Sequence, residues 1–396
     1  MKRILVLGAG LYNARVLVRL REAGFHVLAV DRDPEAAGSR VAHEFKAIDL
    51  SDAPAVLRWA EERRVDGVMA VNDFGARTAS YVAARMGLPG LPPEVAEAAN
   101  DKGLMRDVWK AAGLPIPSYR VVGSLEGLRA AAAEVGFPCV LKPTDCGGSG
   151  RGISVVRSAD DLEWAFDFAR PYVKNDRFIV EQFLDGTEMT VETISIGGRV
   201  TVLAMSDKVK PELRTRVATS LNYPADLPEA TLREVESLVR RAVLAIGIAD
   251  GMAHTEVIVT GRGPALVEVG ARGGGGHIFH TIIEAVSGVD APAAAARLLT
   301  GLPVELPPLR NNGAVYRFFN PPAGILKAAR NFEEARRVEG VLDIGLSKRP
   351  GDRVGNLENS LQRAGFVVTA GRTRREAVEV ADRVESLIEF VVEPAA

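Results

Sequence analysis

The residues best suited to chemistry are two glutamates, Glu256 and Glu268, on either side of a Gly-Arg-Gly-Pro turn. β-Branched residues precede and follow this turn, a pattern typical of a β-hairpin. A three-residue loop, 261–263, would place the glutamates opposite each other on one face, whereas a two-residue loop would place them on opposite faces. With the three-residue loop the other face is purely apolar: Val257, Val259, Ala265, Val267 and Val269. We therefore predict the three-residue loop, with Leu266 on the glutamate face.

Two carboxylates that face each other repel, so a cation is expected between them. A pair of oxygen ligands suits Mg²⁺ or Mn²⁺ better than zinc. Protein-bound Mg²⁺ is usually held by one or two carboxylates together with substrate phosphates, so the pair implies a nucleotide. The hairpin alone leaves a second interpretation open, in which both glutamates lie on an ordinary solvated face.

A glycine-rich loop is the second candidate for chemistry. The segment T-D-C-G-G-S-G-R-G, residues 144–152, joins two predicted strands, and Lys142 ends the first of them. Backbone N–H groups of such a loop can surround phosphate oxygens, and Lys142 would add a positive charge. The loop is not a Walker A motif, because no Gly-Lys-Ser/Thr follows. A hairpin loop without a ligand is the alternative.

Residues 1 to about 90 alternate between apolar strands and helices, which predicts a parallel, doubly wound sheet. Gly8 and Gly10 follow the first strand, and Asp31 ends the second. These residues match part of a dinucleotide-binding fingerprint, but Asn13 stands where its third glycine belongs. Two interpretations follow: an NAD site, or the same scaffold without a dinucleotide.

Three further polar segments lie beside predicted strands or helices. Asn72 and Asp73 follow a strand of the first sheet, where they could contact a substrate or cap the next helix. Lys102 comes directly after an interruption in the helical run 94–112. The polar, proline-containing stretch 206–227, which carries Lys208, is interpreted as a loop that faces the substrate.

The bulk composition limits the classes of function. A chain of 396 residues is long for one core, so two or three domains are expected. The net charge of −2 gives no reason to expect a nucleic-acid or membrane partner. The two cysteines fit a reducing compartment, no apolar run is long enough to span a bilayer, and the N-terminus is unlike a signal peptide. We expect a cytoplasmic protein.

The order of the motifs resembles that of the ATP-grasp ligase superfamily over essentially the whole chain. They run from Asn-Asp-Lys-x-x-x-Arg at 100–106, through Leu-Lys-Pro at 141–143 and the glycine loop, to Glu-Gln-Phe-Leu-x-Gly-x-Glu at 181–188 and the glutamate hairpin that ends at Arg272. The resemblance implies a mixed α/β and α+β fold. It would have a Rossmann-like N-terminal domain, an ATP-grasp fold of two α+β subdomains that clamp ATP, and a small α+β C-terminal domain.

The domain boundaries follow from the same resemblance. We expect a Rossmann-like domain at 1–93, an ATP-grasp domain at 94–304 with a mobile lid subdomain at about 118–190, and the C-terminal domain at 305–396. Within the superfamily the chain is most similar to the L-amino acid ligase and carboxylate–amine ligase group. The segments that carry this similarity lie at 223–228, 247–256 and 287–290. The C-terminal domain resembles the lid that biotin carboxylase shares with that group.

The resemblance also implies roles for the charged residues. Lys102 and Lys142 would reach the phosphates of ATP, and Arg272 would steady an acyl phosphate. Lys208 and His254 would contact phosphate or substrate, with Lys142, Arg272 and Lys208 as the catalytic residues. The loop over the β- and γ-phosphates would consist of Gly147, Gly148, Ser149 and Gly150.

The adenosine half of ATP would lie along residues 181–188. Glu181 would accept the adenine amino group, the backbone of Leu184 would bind the ring edge, and Glu188 would bind the ribose hydroxyls. Gln182 and Phe183 complete the expected contacts. Gln182 replaces a frequent acid or lysine, a mild change because backbone atoms do much of the binding there.

Glu256 and Glu268 match the metal ligands of the superfamily. Gly270 is the one clear position at which this chain departs from the superfamily's pattern. Many members carry Asn at this position, so one side-chain oxygen is missing here. The implied reaction is ATP-dependent ligation of a carboxylate, expected to be an amino acid, to an amine through an acyl phosphate. Both substrates would be small molecules, and a homodimer is compatible with this reading. The alternatives are a purine-pathway ligase, a bicarbonate-using carboxylase, an NAD-dependent oxidoreductase and a nucleotide-binding module without turnover.

Overall fold

The N-terminal part of the chain forms a parallel sheet flanked by helices, as the alternating pattern predicts. A computed structural model describes residues 1–145, 150–210, 217–355, 357 and 360–394. The first elements are β1 (Arg3–Leu7), α1 (Leu11–Glu22), β2 (His26–Asp31), β3 (Glu44–Ala47), α2 (Ala53–Glu62), β4 (Gly67–Ala70) and α3 (Asp73–Met86). The strand order β3-β2-β1-β4 brings the C-terminal ends of all four strands to one edge. The N-terminus of α3 begins at that edge.

Two short helices lead out of the first sheet, and they are interrupted where the sequence predicts. These helices are α4 (Pro93–Asn100) and α5 (Lys102–Ala111). Asp101 separates them, and its carboxylate accepts a hydrogen bond from the N–H of Leu104 at 3.0 Å. This cap begins α5 and places Lys102 in its first turn.

A small α+β unit follows and has its own apolar core. Its elements are β5 (Tyr119–Val122), α6 (Leu125–Val135), β6 (Cys139–Pro143), β7 (Ser154–Val156), α7 (Leu162–Ala169) and β8 (Phe178–Gln182). The antiparallel sheet runs β5-β8-β6-β7, and its buried side chains pack against α6 and α7. The unit spans the segment predicted as a lid.

The rest of the chain is built on one large antiparallel sheet. Its first elements are β9 (Thr187–Ile196), β10 (Arg199–Val209), β11 (Ser220–Tyr223), α8 (Glu229–Ile246), β12 (Gly251–Thr260), β13 (Gly263–Gly270), α9 (Ile283–Ser287) and α10 (Ala291–Leu299). The remaining ones are β14 (Gly313–Phe319), β15 (Gly324–Arg330), α11 (Phe332–Arg336), β16 (Val341–Leu346), β17 (Arg353–Val354), β18 (Gly365–Gly371), α12 (Arg374–Leu387) and β19 (Glu389–Glu393).

The large sheet crosses the boundary predicted near residue 304. Its order is β13-β12-β9-β10-β11-β14-β18-β16, and β11 pairs with β14 along Ser220–Tyr223. A second, three-stranded sheet β17-β15-β19 completes the C-terminal module. The three-domain division stays a prediction, with the C-terminal module joined to the middle domain by backbone hydrogen bonds. Among the described residues, no helix has both the length and the apolar character that a membrane span requires.

Candidate active site

The hairpin of β12 and β13 places Glu256 opposite Glu268, as predicted, but the predicted loop is wrong. Thr260 pairs with Gly263, which leaves a two-residue turn. An extra residue in β13, Val267, then forms a β-bulge that restores the pairing of the glutamates. The two carboxylates therefore lie on one face because the bulge compensates for the short turn.

The bulge also changes which side chains reach the core. Leu266 is fully buried opposite Val257, so its predicted place on the glutamate face is wrong. Val267, which was expected in the core, is only half-buried. Its carbonyl oxygen accepts a hydrogen bond from Nη2 of the buried Arg106 at 2.5 Å. The bulge is thus anchored by a side chain from α5.

Each glutamate of the pair holds a lysine from a distant part of the chain. Nζ of Lys102 lies 2.9 Å from Oε1 of Glu268, and Nζ of Lys208 contacts Oε1 of Glu256. Both lysines are buried, and Lys208 lies on β10 rather than in the predicted loop. One lysine thus lies beside each of the opposed carboxylates, and the metal ion predicted between them stays a prediction.

The charges of this cluster stabilise one another. Burial favours the neutral form of Glu256, but Lys208 and His254 outweigh it and hold the pKa of Glu256 well below its ordinary value. Burial likewise opposes the charge of Lys208, yet Glu188 and Glu256 raise the pKa of this lysine above its ordinary value. Glu256 and Lys208 are therefore both charged at neutral pH.

His254 forms an ion pair that the sequence reading missed. Its Nδ1 contacts Oε1 of Glu192, which is fully buried. Burial lowers the pKa of His254, but Glu192 outweighs it and raises that pKa to about 9. The other oxygen of Glu192 accepts the N–H of Gly274 at 3.0 Å. A glutamate within the apolar strand T-V-E-T-I-S-I was the available signal, because an acid buried in a strand needs a partner.

Lys142 shares a carboxylate with Arg106. Nζ of Lys142 lies 2.6 Å from Oε2 of Glu181, and Nη2 of Arg106 lies 2.7 Å from Oε1. Burial opposes ionisation of Glu181, but the two cations hold its pKa below the ordinary value. Both oxygens of Glu181 thus lie beside cations. The adenine role implied for Glu181 stays a prediction.

Backbone hydrogen bonds hold the start of the segment expected along adenosine. The N–H of Gln182 donates to the carbonyl of Ser118 at 2.8 Å, and that of Phe183 donates to Pro138 at 3.3 Å. Leu184 is half-buried beside them. Their contacts to adenine stay predictions.

Glu188 is held by two lysines. Its carboxylate lies 2.9 Å from Nζ of Lys208 and also contacts Lys210. Its ribose contact stays a prediction. Of the predicted phosphate loop, Gly147, Gly148 and Ser149 lie outside the described residues. Gly150 is described and has a φ of +69°, a backbone conformation that favours glycine.

Arg272 forms a bidentate ion pair with Asp73, the first residue of helix α3. Nε and Nη2 of Arg272 donate to the two oxygens of Asp73 at 2.8 and 2.7 Å. Burial opposes the charge on Asp73, yet Arg272 holds its pKa below the ordinary value. A Cβ at Gly270 would lie 3.3 Å from both Cζ of Arg272 and Oδ1 of Asp73. The missing side chain at Gly270 therefore leaves room for this ion pair.

The polar residues at the ends of β2 and β4 have structural partners. Asn72 caps α3 through a 3.0 Å hydrogen bond from the N–H of Gly75. Asp31 accepts the N–H of Ala9 at 2.8 Å. Asp31 would bind the ribose in an NAD site, but here its carboxylate holds the glycine turn itself. This favours the scaffold interpretation over an NAD site.

The glutamate pair fits a metal ion that takes its other ligands from elsewhere. Within the described ranges, no group of three or more His, Cys, Asp or Glu side chains could hold a metal. Glu256 and Glu268 offer oxygen only, and lysines that could approach phosphates lie beside them. This set fits Mg²⁺, which commonly uses one or two carboxylates together with phosphate oxygens and water.

Two family models match separate parts of this chain. A model described as an ATP-grasp domain matches residues 135–280, which contain Lys142, both glutamates of the hairpin and Arg272. A model described as L-amino acid ligase C-terminal domain 2 matches residues 317–393, most of the C-terminal module. The two matches follow the order expected from the sequence motifs.

Known proteins resemble the chain over most of its length. A formate-dependent phosphoribosylglycinamide formyltransferase from Rhodococcus jostii is 30% identical over 317 residues, 76% of each chain. The crystal structure of an L-amino acid ligase from Bacillus licheniformis has a TM-score of 0.85 at 22% identity and covers 99% of both chains. A phosphoribosylglycinamide synthetase from Anaerococcus prevotii gives 0.77 at 20% identity, with coverage of 99% and 100%. The structural matches show a shared fold.

Proposed function

The chain belongs to the ATP-grasp family of ligases, and we propose that it joins the carboxylate of an amino acid to an amine. The carboxylate attacks the γ-phosphate of ATP and forms an acyl phosphate and ADP. The amine then attacks the acyl carbon, and the tetrahedral intermediate collapses to an amide and free phosphate. The L-amino acid ligase match of the C-terminal module supports an amino acid as the acid.

The observation that carries this proposal is the single face on which the charged groups meet. Glu256 and Glu268 lie opposite each other, each beside a buried lysine, and Arg272 follows at the end of the same hairpin. Phosphoryl transfer depends mainly on positioning and on electrostatic stabilisation of the transferred group. A rigid cluster of cations and metal-compatible carboxylates supplies both.

The residues of the chain divide the work between the two steps. Lys102 and Lys142 bind the phosphates of ATP and offset charge on the transferred group. Mg²⁺ bound at Glu256 and Glu268 would supply further charge neutralisation at the phosphates. Arg272 orients the acyl phosphate for attack by the amine. No side-chain nucleophile is needed, so exclusion of water from the site protects the acyl phosphate.

The function is tested by a screen for ADP and phosphate release with Mg-ATP. The purified protein is given single amino acids, pairs of amino acids, and bicarbonate, with product detected by mass. Release that requires an amino acid and an amine together supports the proposal. Release that depends on bicarbonate would assign a carboxylase instead, and ATP binding without release would assign a module without turnover.

A second candidate is a ligase whose amine substrate carries a phosphate. Arg363 favours it, because no carboxylate of the described residues lies within 4 Å of this largely buried guanidinium, which donates to the carbonyl of Ala218 at 2.8 Å. The 30% identical relative is named for a phosphoribosylglycinamide substrate. Against it, Arg15 on helix α1 and Arg77 on helix α3 are both paired with carboxylates. Formate with phosphoribosylglycinamide in the same screen decides between the two.

Three expectations complete the proposal. The protein is cytoplasmic, Mg²⁺ or Mn²⁺ is required, and a homodimer is compatible with the fold. Cell fractionation, EDTA inhibition and light scattering test them in turn. A titration with NAD and NADH tests the oxidoreductase alternative. Binding of either nucleotide in the micromolar range would support that alternative.

A further inference from the structure

We propose that Arg77, on helix α3, is a positioning residue for the nucleotide. It would act by holding in place the end of the strand that carries Lys142. This inference rests on the proposed ATP site but goes beyond it, because it assigns a role in nucleotide binding to a helix outside the ATP-grasp match. Arg77 lies about 60 residues before the start of that match, at residue 135.

Arg77 reaches the ATP-grasp part of the chain through Asp145. Its Nη1 donates to Oδ2 of Asp145 at 2.7 Å, while Nε and Nη2 bind the carboxylate of Glu97, with Nη2 at 3.0 Å. Asp145 is 8% exposed, so this ion pair is shielded from solvent on one side. A guanidinium that bridges two carboxylates with three nitrogens has little freedom to move.

Asp145 is placed where its position affects the phosphate contacts. It follows Lys142 by three residues and directly precedes the predicted phosphate loop. Its neighbour Thr144 accepts the N–H of Lys102 at 2.9 Å through its carbonyl oxygen. Both phosphate-binding lysines are therefore tied to the short segment that Arg77 anchors.

The other end of the loop also meets helix α3. Cζ of Arg151 lies 5.0 Å from the ring centroid of Phe74, and Nζ of Lys174 lies 4.9 Å from it. Lys174 also lies 3.5 Å from Oδ1 of Asp145. Cation–π contacts of this kind are weak singly, but that of Arg151 joins α3 to the far side of the same segment. Helix α3 thus contacts the chain on both sides of the loop.

The same face of α3 also binds Arg272, the arginine predicted to contact the acyl phosphate. Asp73 precedes Arg77 by four residues, so the two side chains lie on one face of α3. Asp73 binds Arg272, and Arg77 binds Asp145. One helical turn therefore sets the distance between the predicted ATP-phosphate contacts and the predicted acyl-phosphate contact. A displacement of about 1 Å in such an arrangement can reduce a rate by 100-fold.

The test is the affinity of the full-length protein for MgADP, measured by calorimetry, which needs no knowledge of the acid or the amine. Arg77→Met is expected to weaken binding by about 10-fold, as a misplaced contact would. Arg85→Met is the matched control, because Arg85 lies on the same helix, is exposed, and has its Cζ 5.6 Å from the ring centroid of Tyr81. Arg77→Lys keeps the charge and is expected to restore part of the affinity.

Two further variants separate positioning from general destabilisation. Asp145→Asn should weaken MgADP binding as Arg77→Met does, and the double variant should lose no more than either single one. Unchanged affinity in a folded Arg77→Met protein, or additive losses in the double variant, overturns the positioning role. A wild-type protein that binds no MgADP overturns the proposed function itself, so the two failures are distinct.

Discussion

Asp73 and Arg272 stand 199 positions apart in the sequence and meet through two hydrogen bonds of 2.8 and 2.7 Å. This ion pair joins the N-terminus of helix α3 to the end of the glutamate hairpin. It exists in the space left by Gly270, where a Cβ would lie 3.3 Å from both partners. The glycine at position 270, where many family members carry asparagine, therefore leaves room for the carboxylate of Asp73 beside Arg272.

Gly270→Asn is expected to reduce activity rather than to improve it. The new side chain would crowd the ion pair, and the neighbouring atoms would have to move by a few tenths of an ångström or more. We expect at least a 10-fold lower kcat, with little change in thermal midpoint relative to Gly261→Asn at the exposed turn. A more active Gly270→Asn enzyme would show instead that the asparagine side chain serves as a metal ligand here.

Arg272→Lys is expected to lower kcat by about 100-fold, because lysine cannot make the two-pronged contact with Asp73 and orient a phosphate as well. The KM for ATP should change by less than about threefold, because the role proposed for Arg272 is at the acyl phosphate and not at the nucleotide. Arg240→Lys is the control, as Arg240 forms a partly exposed pair with Glu236 on helix α8. A large rise in the KM for ATP with an unchanged kcat would place Arg272 at the nucleotide instead.

Glu268→Gln and Lys142→Ala are each expected to abolish ATP-dependent product formation, a loss of more than about 100-fold. The first removes a metal-compatible carboxylate, and the second removes a phosphate-binding cation. Far-UV circular dichroism should show an intact fold for both. Glu236→Gln serves as the control for charge removal, and near wild-type turnover in either site variant would contradict the assignment.

Acid is expected to destabilise the protein through two buried histidines. His277 and His280 are 2% and 5% exposed, and burial lowers their pKa values to about 3 and about 4. Unfolded histidines bind protons below about pH 6.5, whereas the folded ones stay neutral, so unfolding is favoured as the pH falls. The stabilising effect is complete above about pH 6.5 and is lost toward pH 4. Each histidine should contribute a loss of about 2 kcal/mol between pH 6.5 and pH 5.

Urea unfolding at pH 7.5 and pH 5 measures this effect. The comparison is between the wild type and a His277→Phe/His280→Phe variant, so that carboxylates titrate equally in both. The variant should lose less stability on acidification than the wild type, since it lacks both proton-binding groups. Equal losses in the two proteins would mean that the histidines are protonated in the folded state, for example through Asp343, 3.5 Å from Nδ1 of His277.

Residue types and their order along the chain were enough to identify the fold and much of the candidate site. The alternation of strands and helices predicted the N-terminal sheet, because backbone hydrogen bonding and apolar periodicity are local properties. The hairpin pattern paired Glu256 with Glu268, whereas the roles of Lys102, Lys142, Lys208 and Arg272 were predicted from the resemblance to the ATP-grasp superfamily. The sequence pattern failed on the hairpin loop, because it gives no sign of the bulge at Val267, whose carbonyl accepts a hydrogen bond from Arg106, far away in sequence.

The tertiary structure alone decided which charges meet. Lys102 pairs with Glu268 across 166 positions, and Arg77 pairs with Asp145 across 68. Such pairs depend on how the helices and sheets pack. Composition does not decide them, because it does not say which lysine or arginine lies beside which acid. Glu192 is the clearest case. Its burial and its contacts with His254 and Gly274 follow only from the antiparallel pairing of β9 with β12. Sequence order thus identified the candidate site residues, and packing determined their partners.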